Sequence, residues 1–112
     1  MTPPAPDAHV LERLFAIIQS RRGGDPAQSY TARLLGEGRA KIARKTGEEA
    51  IEVVIAALEG GREPLAKESA DLLYHLLVLW ADAGIAPEDV WRELARREGT
   101  SGLAEKAARR ET

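Results

Sequence analysis

Residues 48–75 read EEAIEVVIAALEGGREPLAKESADLLYH, and this stretch decides the fold. It carries two pairs of acids, one on each side of the glycine pair at 60–61: Glu49 with Glu52, and Glu68 with Asp71. Residues three apart on an α-helix project from the same face. Each pair therefore predicts a helix that directs two carboxylates to one side.

The two acid pairs also lie at matching distances from the glycines. At 1.5 Å rise per residue, Glu52 lies roughly 12 Å before the glycine pair and Glu68 roughly 10 Å after it. Glu49 and Asp71 each lie roughly 15 Å or slightly more from the turn. If the helices fold back on each other, four carboxylates meet at one level, which is costly unless a cation neutralises them. An oxygen-only cluster suits Mg²⁺, Mn²⁺ or Ca²⁺ rather than zinc or copper.

Acids at this spacing have a plainer interpretation as well. An arbitrary Glu-x-x-Glu is far more often an exposed polar face of a helix, where Glu and Lys form weak surface pairs. Here Glu52 is followed by the apolar run 53–55, and Asp71 by the leucines at 72–73. Carboxylates in apolar surroundings are rare unless they are paired or bind a metal. The pattern alone leaves both interpretations open.

The remaining chain also predicts helices, because strand and hairpin signals are nearly absent. We expect an all-α fold with four to five helices in a bundle. Their predicted extents, with Asp7 and Ser29 as caps of the first two, are: Asp7 to about Gly23, Tyr30 to Leu35, Arg39 to Glu59, Pro64 to about Asp82, and from Pro87 onward.

The predicted organisation is one domain over residues 7–98. A flexible proline-rich leader is expected at 1–6, and a polar tail at 99–112 that is either a short helix or disordered. Residues 72–81 are apolar on every side of a helix, which a protein of four or five helices covers alone only with difficulty. We therefore expect part of the fourth helix to pack on a second copy, most simply in a two-fold homodimer.

Composition narrows the function classes. The formal net charge of −2 provides no basic surface for nucleic acid or an anionic membrane. The chain has no cysteine, which removes disulfides, thiolate metal sites and cysteine nucleophiles together. No apolar run reaches the roughly 18 residues of a membrane span. We expect a cytoplasmic protein with neither a nucleic-acid nor a membrane partner.

The stretches 45–54 and 68–75 together resemble the Glu-Glu-x-x-Glu … Glu-x-x-Asp signature of the all-α nucleotide pyrophosphohydrolases related to MazG. Within that superfamily, the chain resembles the phosphoribosyl-ATP pyrophosphohydrolase family over about residues 11–97. The further matching segments are 29–35, 41–42, 71–79 and 84–94. The resemblance implies a Mg²⁺-dependent hydrolysis of 1-(5-phosphoribosyl)-ATP to the AMP derivative and pyrophosphate, the second step of histidine biosynthesis. It also implies the stand-alone form, without the cyclohydrolase domain fused in many organisms.

The resemblance also implies roles for individual residues. The metal ligands are expected to be Glu49, Glu52, Glu68 and Asp71. Glu48 points about 100° around the helix from Glu49, and it is a candidate to orient the attacking water, to act as its base, or to support the ligands.

The expected substrate contacts lie on three helices. Lys41, Lys45 and Arg33 are candidates for phosphate contacts, and Tyr30 belongs to the segment 29–31, which is a candidate to close over the substrate. His75 lies one turn beyond Asp71 on the same face. It either supports the site or substrate, or is a core histidine satisfied by a carbonyl or carboxylate.

Two other functions remain open at this stage. A nucleotide-pool-cleansing pyrophosphatase acting on dUTP or dCTP would use the same metal site and fold. A non-catalytic helical dimerisation module would use the apolar helices and leave the acids as surface groups. Substrate profiling distinguishes the first alternative, because only a pool-cleansing enzyme should act on deoxynucleotides at low concentration. Absence of divalent-ion binding would favour the second.

Overall fold

The computed structural model of the chain describes residues 6–99 and 102–111. Within these ranges the chain forms helices and no strand, so the predicted all-α fold is confirmed. The helices are α1 His9–Ser20, α2 Tyr30–Glu37, α3 Arg39–Glu59, α4 Arg62–Ala83, α5 Pro87–Arg97 and α6 Gly102–Glu111. The tail, predicted as either helix or disorder, contains α6. The predicted leader lies outside the described residues except for Pro6.

Helix starts follow the capping residues that the sequence offers. The Asp7 carboxylate accepts the backbone N–H of His9 at 2.9 Å, and the Ser29 hydroxyl accepts that of Ala32 at 3.1 Å. Both satisfy a donor that the first helical turn leaves free. Helix α4 begins at Arg62, two residues before the predicted Pro64. Pro64 is tolerated there because it still lies in the first turn, where the N–H that proline lacks would have no intrahelical partner.

Helix α2 continues two residues beyond its predicted end at Leu35. The break comes instead at Gly38, whose φ of 95° lies in a region that residues with a side chain rarely adopt. Gly38 is also the residue from which α3 starts, at Arg39. A single residue therefore joins α2 to α3, and Gly36 is accommodated inside the helix.

Helices α3 and α4 form a hairpin that dominates the fold. Gly60 ends α3 in the left-handed conformation, with φ of 87°, and its N–H bonds the carbonyl of Ala56 at 3.2 Å. Since only Gly60 and Gly61 separate the helices, α4 turns back along α3, and this pair makes the most extensive contact in the described structure. The predicted fold-back is thus present.

The core lies where α1, α2 and α3 meet the second half of α4. Its most buried members are 0–1% exposed: Ile18, Leu34, Ile42, Leu77, Val78 and Ala81. Trp80 of α4 meets Trp91 of α5 edge to face, with ring centroids 6.0 Å apart. This packing fixes the helix pair that carries the acids.

Exposed apolar surface concentrates on α3 rather than on α4. We call this surface the outer face of α3; its members are 43–83% exposed: Ile51, Val54, Ile55 and Leu58. They recur at helical spacing, so they share one side of the helix. Helix α4 shows less apolar surface than predicted, because α1, α2 and α3 all pack against it. Leu73, at 42%, is its most open large apolar residue among those described.

No described helix combines the length and the apolar character that crossing a bilayer would require.

Candidate metal and substrate site

Three of the four predicted metal ligands meet between α3 and α4. Glu49, Glu68 and Asp71 each offer a carboxylate oxygen, and these oxygens all lie within 4.8 Å of one another. All three residues are half-buried. We call them the acid group. It joins one acid from α3 to two from α4, at the level that the residue count from the glycine turn predicts.

The fourth predicted ligand, Glu52, lies outside this group among the described residues. Three residues along a helix amount to about 300° of rotation, so Glu52 is displaced about 60° from Glu49. Glu49 occupies the line of contact with α4 and is half-buried, whereas Glu52 is exposed. Glu52 is thus exposed and outside the acid group, and its role as a ligand stays a prediction.

The basic residues predicted to contact phosphate are engaged with acids. The Nζ of Lys45 lies 3.8 Å from a carboxylate oxygen of Glu48. Arg33 and Lys41 both approach Glu37, with N–O distances of 3.1 and 3.9 Å. The sequence reasoning missed Glu37. Its position four residues after Arg33 on α2 is the signal that could have found that pair, because residues four apart meet on a helix. The approach of Lys41 crosses the break at Gly38, and no helical spacing indicates it.

His75 is buried, at 6% exposure, and uses both ring nitrogens. Its Nδ1 lies 2.7 Å from the carbonyl oxygen of Asp71, and its Nε2 lies 3.3 Å from the hydroxyl of Tyr30. A carbonyl only accepts hydrogen bonds, so Nδ1 carries the proton, and in the neutral ring Nε2 then accepts the Tyr30 O–H. This geometry favours the interpretation of His75 as a core histidine satisfied by a carbonyl.

Tyr30 and Tyr74 form an aromatic pair between α2 and α4. Their rings stack at 6.3 Å between centroids and 25° between planes, and the Tyr74 hydroxyl hydrogen-bonds Thr31. Burial raises the pKa of the Tyr30 phenol, and the negative charge of Glu49 raises it further. Burial likewise raises the pKa of Tyr74. Both hydroxyls therefore keep their protons near neutral pH.

The acid group fits a hard divalent cation. Its donors are carboxylate oxygens from three residues, with no imidazole or thiolate among them. Mg²⁺ takes oxygen ligands and is commonly held by one or two carboxylates together with substrate phosphates and water. Without a cation, three carboxylates this close repel one another. The residues present thus suit Mg²⁺, or Mn²⁺ with similar preferences.

Comparison with known proteins points to one family. A family model described as phosphoribosyl-ATP pyrophosphohydrolase matches residues 11–98. The chain is 64% identical over 100 residues to a protein from Gluconobacter oxydans, covering 89% of this chain and 75% of that protein. It is 62% identical over 103 residues to one from Azospirillum brasilense, covering 92% and 93%.

A further relative, from Paramagnetospirillum magneticum, is 60% identical over 105 residues, which cover 94% of this chain and 96% of that protein. All three relatives are named phosphoribosyl-ATP pyrophosphatase. The resemblance read from the acid motif is thereby confirmed. The chain belongs to the phosphoribosyl-ATP pyrophosphohydrolase family.

Proposed function

We propose that this chain, acting in the cytoplasm, hydrolyses 1-(5-phosphoribosyl)-ATP to 1-(5-phosphoribosyl)-AMP and pyrophosphate, the second step of histidine biosynthesis, with Mg²⁺ as cofactor. The observation that carries the proposal is the acid group, built by α3 and α4 inside the region that matches the family model. The names of the relatives support the choice of substrate.

In this proposal the acid group holds Mg²⁺, and Glu52 joins it as a further ligand. The bound cation would neutralise phosphate oxygens and orient the leaving pyrophosphate. Phosphoryl transfer needs little covalent help from the protein, so positioning and charge do most of the catalysis. The half-buried placement of the three acids supports this role, because partial burial strengthens their interaction with a cation.

The ion pair between Lys45 and Glu48 suggests how the remaining residues act. Lys45 lies 3.8 Å from Glu48, and both side chains are accessible, at 34% and 50%. A substrate phosphate would compete with Glu48 for the Lys45 ammonium. Glu48 would then be free to orient the attacking water or to accept its proton. Lys41 and Arg33, released in the same way from Glu37, would contact the other phosphates.

We also propose a homodimer formed through the outer face of α3. The four large apolar side chains of this face are 43–83% exposed and lie together on one side of the helix. A contiguous exposed apolar surface of this kind is typical of a protein–protein interface. By helical rotation, Glu48 and Glu52 lie between the acid group and this face. A second copy seated there would lie beside the site.

The proposal is tested by measuring pyrophosphate release from phosphoribosyl-ATP, with and without Mg²⁺, beside dUTP and dCTP. We expect Mg²⁺-dependent release from phosphoribosyl-ATP only. Release mainly from the deoxynucleotides would keep the metal site but move the protein to nucleotide-pool cleansing. No release from any substrate, together with no divalent-ion binding, would favour the dimerisation module.

A further inference from the structure

His75 occupies a core position that an apolar residue could fill. It is the one buried polar residue among those described. Burying an imidazole costs free energy unless its nitrogens are hydrogen-bonded. Both are bonded here, and to different helices: Nδ1 to the Asp71 carbonyl of its own helix α4, and Nε2 to Tyr30 of α2. The imidazole thus connects α2 to the turn of α4 that presents Asp71.

Helix α2 depends on such connections for its placement. It has only eight residues, and a single glycine with positive φ joins it to α3. Its apolar anchors are Ala32 and Leu34, which are both buried. Tyr30 and Thr31, at its first turn, make their described side-chain bonds to α4. The first turn of α2 is therefore held against α4 by polar groups.

We propose that His75 is a positioning residue, which fixes Tyr30 and the first turn of α2 against the turn of α4 that carries Asp71. This inference rests on the proposed function, since Asp71 acts there as a ligand. The hydrogen bond from the Tyr30 hydroxyl to Nε2 sets the direction of the phenol. The stack on Tyr74 then sets the plane of the ring, which is 49% exposed and so accessible to a substrate.

The hydrogen-bond pattern is tested first by imidazole ¹⁵N NMR on the metal-free protein. The chain has only two histidines, and His9 is exposed, so two ring systems appear and are readily assigned. We expect His75 in the Nδ1–H form, and we expect Tyr30→Phe to shift its Nε2 resonance while the His9 resonances stay unchanged. A His75 ring in the Nε2–H form, or one unaffected by Tyr30→Phe, would overturn the inference.

The consequence for the reaction is tested with His75→Phe and His75→Gln. Phenylalanine keeps a ring of similar size and removes both hydrogen bonds, whereas glutamine keeps a donor and an acceptor. We expect His75→Phe to lower kcat/KM and to raise the Mg²⁺ concentration for half-maximal rate, each by about 10- to 100-fold, as for other residues that orient metal ligands. We expect His75→Gln to have the same thermal stability as His75→Phe but a smaller loss in kcat/KM and in Mg²⁺ dependence.

Tyr74→Phe is the matched control. It removes the other hydroxyl bond between α2 and α4 but leaves the bonds of His75 intact. We expect it to lower the thermal stability and to leave the Mg²⁺ dependence unchanged. A Mg²⁺ dependence altered as in His75→Phe would assign the effect to anchoring of α2 in general and overturn the specific role of His75. If His75→Phe fails to fold, the half-exposed variant Tyr30→Phe carries the kinetic test.

Asp71→Asn, measured in parallel, separates this inference from the proposed function. Mg²⁺-dependent turnover that survives Asp71→Asn would show that Asp71 is no ligand, and the metal site as proposed would be refuted. Turnover that is lost in Asp71→Asn but unchanged in His75→Phe and Tyr30→Phe would overturn only the positioning role.

Discussion

The side of α3 that packs on α4 carries Glu49 in a group of half-buried acids, whereas the opposite side exposes the apolar outer face. The residues of that face lie between about 140° and 240° around the helix from Glu49. A helix of an isolated globular monomer has the reverse arrangement, with apolar groups inside and charges in water. Ile42 and Ala56, on the side of α3 that packs on α4, follow this rule, whereas Glu49 and the outer face depart from it. The departure is explained if a cation occupies the acid group and a second copy covers the outer face.

Neither the acid group nor the outer face stabilises the isolated chain. Like charges at the inner side repel one another, and each large apolar side chain of the outer face forgoes about 1.5–3 kcal/mol of burial. The two proposals are independent, because one rests on carboxylate geometry and the other on exposed apolar surface. Each side can therefore be tested by a substitution that leaves the other side intact.

The largest effect is expected from Asp71→Asn on the inner side. The variant should lose at least about 100-fold in turnover. A neutral amide would hold the cation more weakly than the Asp71 carboxylate, and the cation is what stabilises the charge on the transferring phosphate in the proposed reaction. Its far-ultraviolet circular dichroism should remain helical. The free energy of unfolding of the metal-free protein should rise by about 1 kcal/mol, since one of three close charges is removed.

Glu59→Gln is the control for this prediction, because it makes the same change of charge at an exposed acid at the end of α3. It should change neither turnover nor stability appreciably. Substantial Mg²⁺-dependent turnover in Asp71→Asn would show that Asp71 is no ligand. A metal-free stability at or below that of the wild type would argue that the acids do not repel one another.

An intermediate effect is expected from Leu58→Glu on the outer face. Leu58 is 83% exposed and lies about two and a half turns from Glu49, so the change should leave the acid group intact. Losing one buried leucine per copy removes about 2 kcal/mol, which corresponds to about a 30-fold rise in the dimer dissociation constant for each. Sedimentation equilibrium measures this rise directly. Leu58→Met should remain dimeric, and a wild-type protein that is monomeric at micromolar concentration would refute the proposed interface.

The smallest effect is expected from Gly47→Ala, one turn before the outer face. A Cβ added at Gly47 meets nothing within 4 Å, and alanine is favoured over glycine inside a helix by about 1 kcal/mol. In the monomeric Leu58→Glu background, we expect urea unfolding to report a gain of about that size. In the wild-type background the gain should be smaller, because a second copy approaches this side. Equal gains would place Gly47 outside the interface.

The hairpin of α3 and α4, with the acid group between its helices, could be predicted from sequence because it depends on local rules. The acid spacing fixes a helix face, the glycine pair fixes where the chain reverses, and the residue count fixes the level. The extent of α3 follows from the same signals and was predicted as Arg39 to Glu59, as observed.

Features that depend on how helices cross could not be read from spacing. Glu49 and Glu52 differ by only about 60° around α3. Which of them faces α4 depends on the angle at which the two helices pack, and spacing along the sequence does not give that angle. The exposed apolar surface was expected on α4 and lies on α3, because α1 and α2 cover α4 through contacts between residues distant in sequence. The hydrogen bond from Tyr30 to His75 spans 45 residues, and no local pattern indicates it.

The two-residue connection at Gly60 and Gly61 also has a consequence for the order of folding. The entropy lost in closing a loop grows with its length, and this loop is among the shortest that can reverse a chain between helices. Contacts between α3 and α4 are therefore the cheapest tertiary contacts available to the unfolded chain. We expect this hairpin to form early, so that the carboxylates meet before α1 arrives, and a divalent cation present during refolding should accelerate the first step rather than the last.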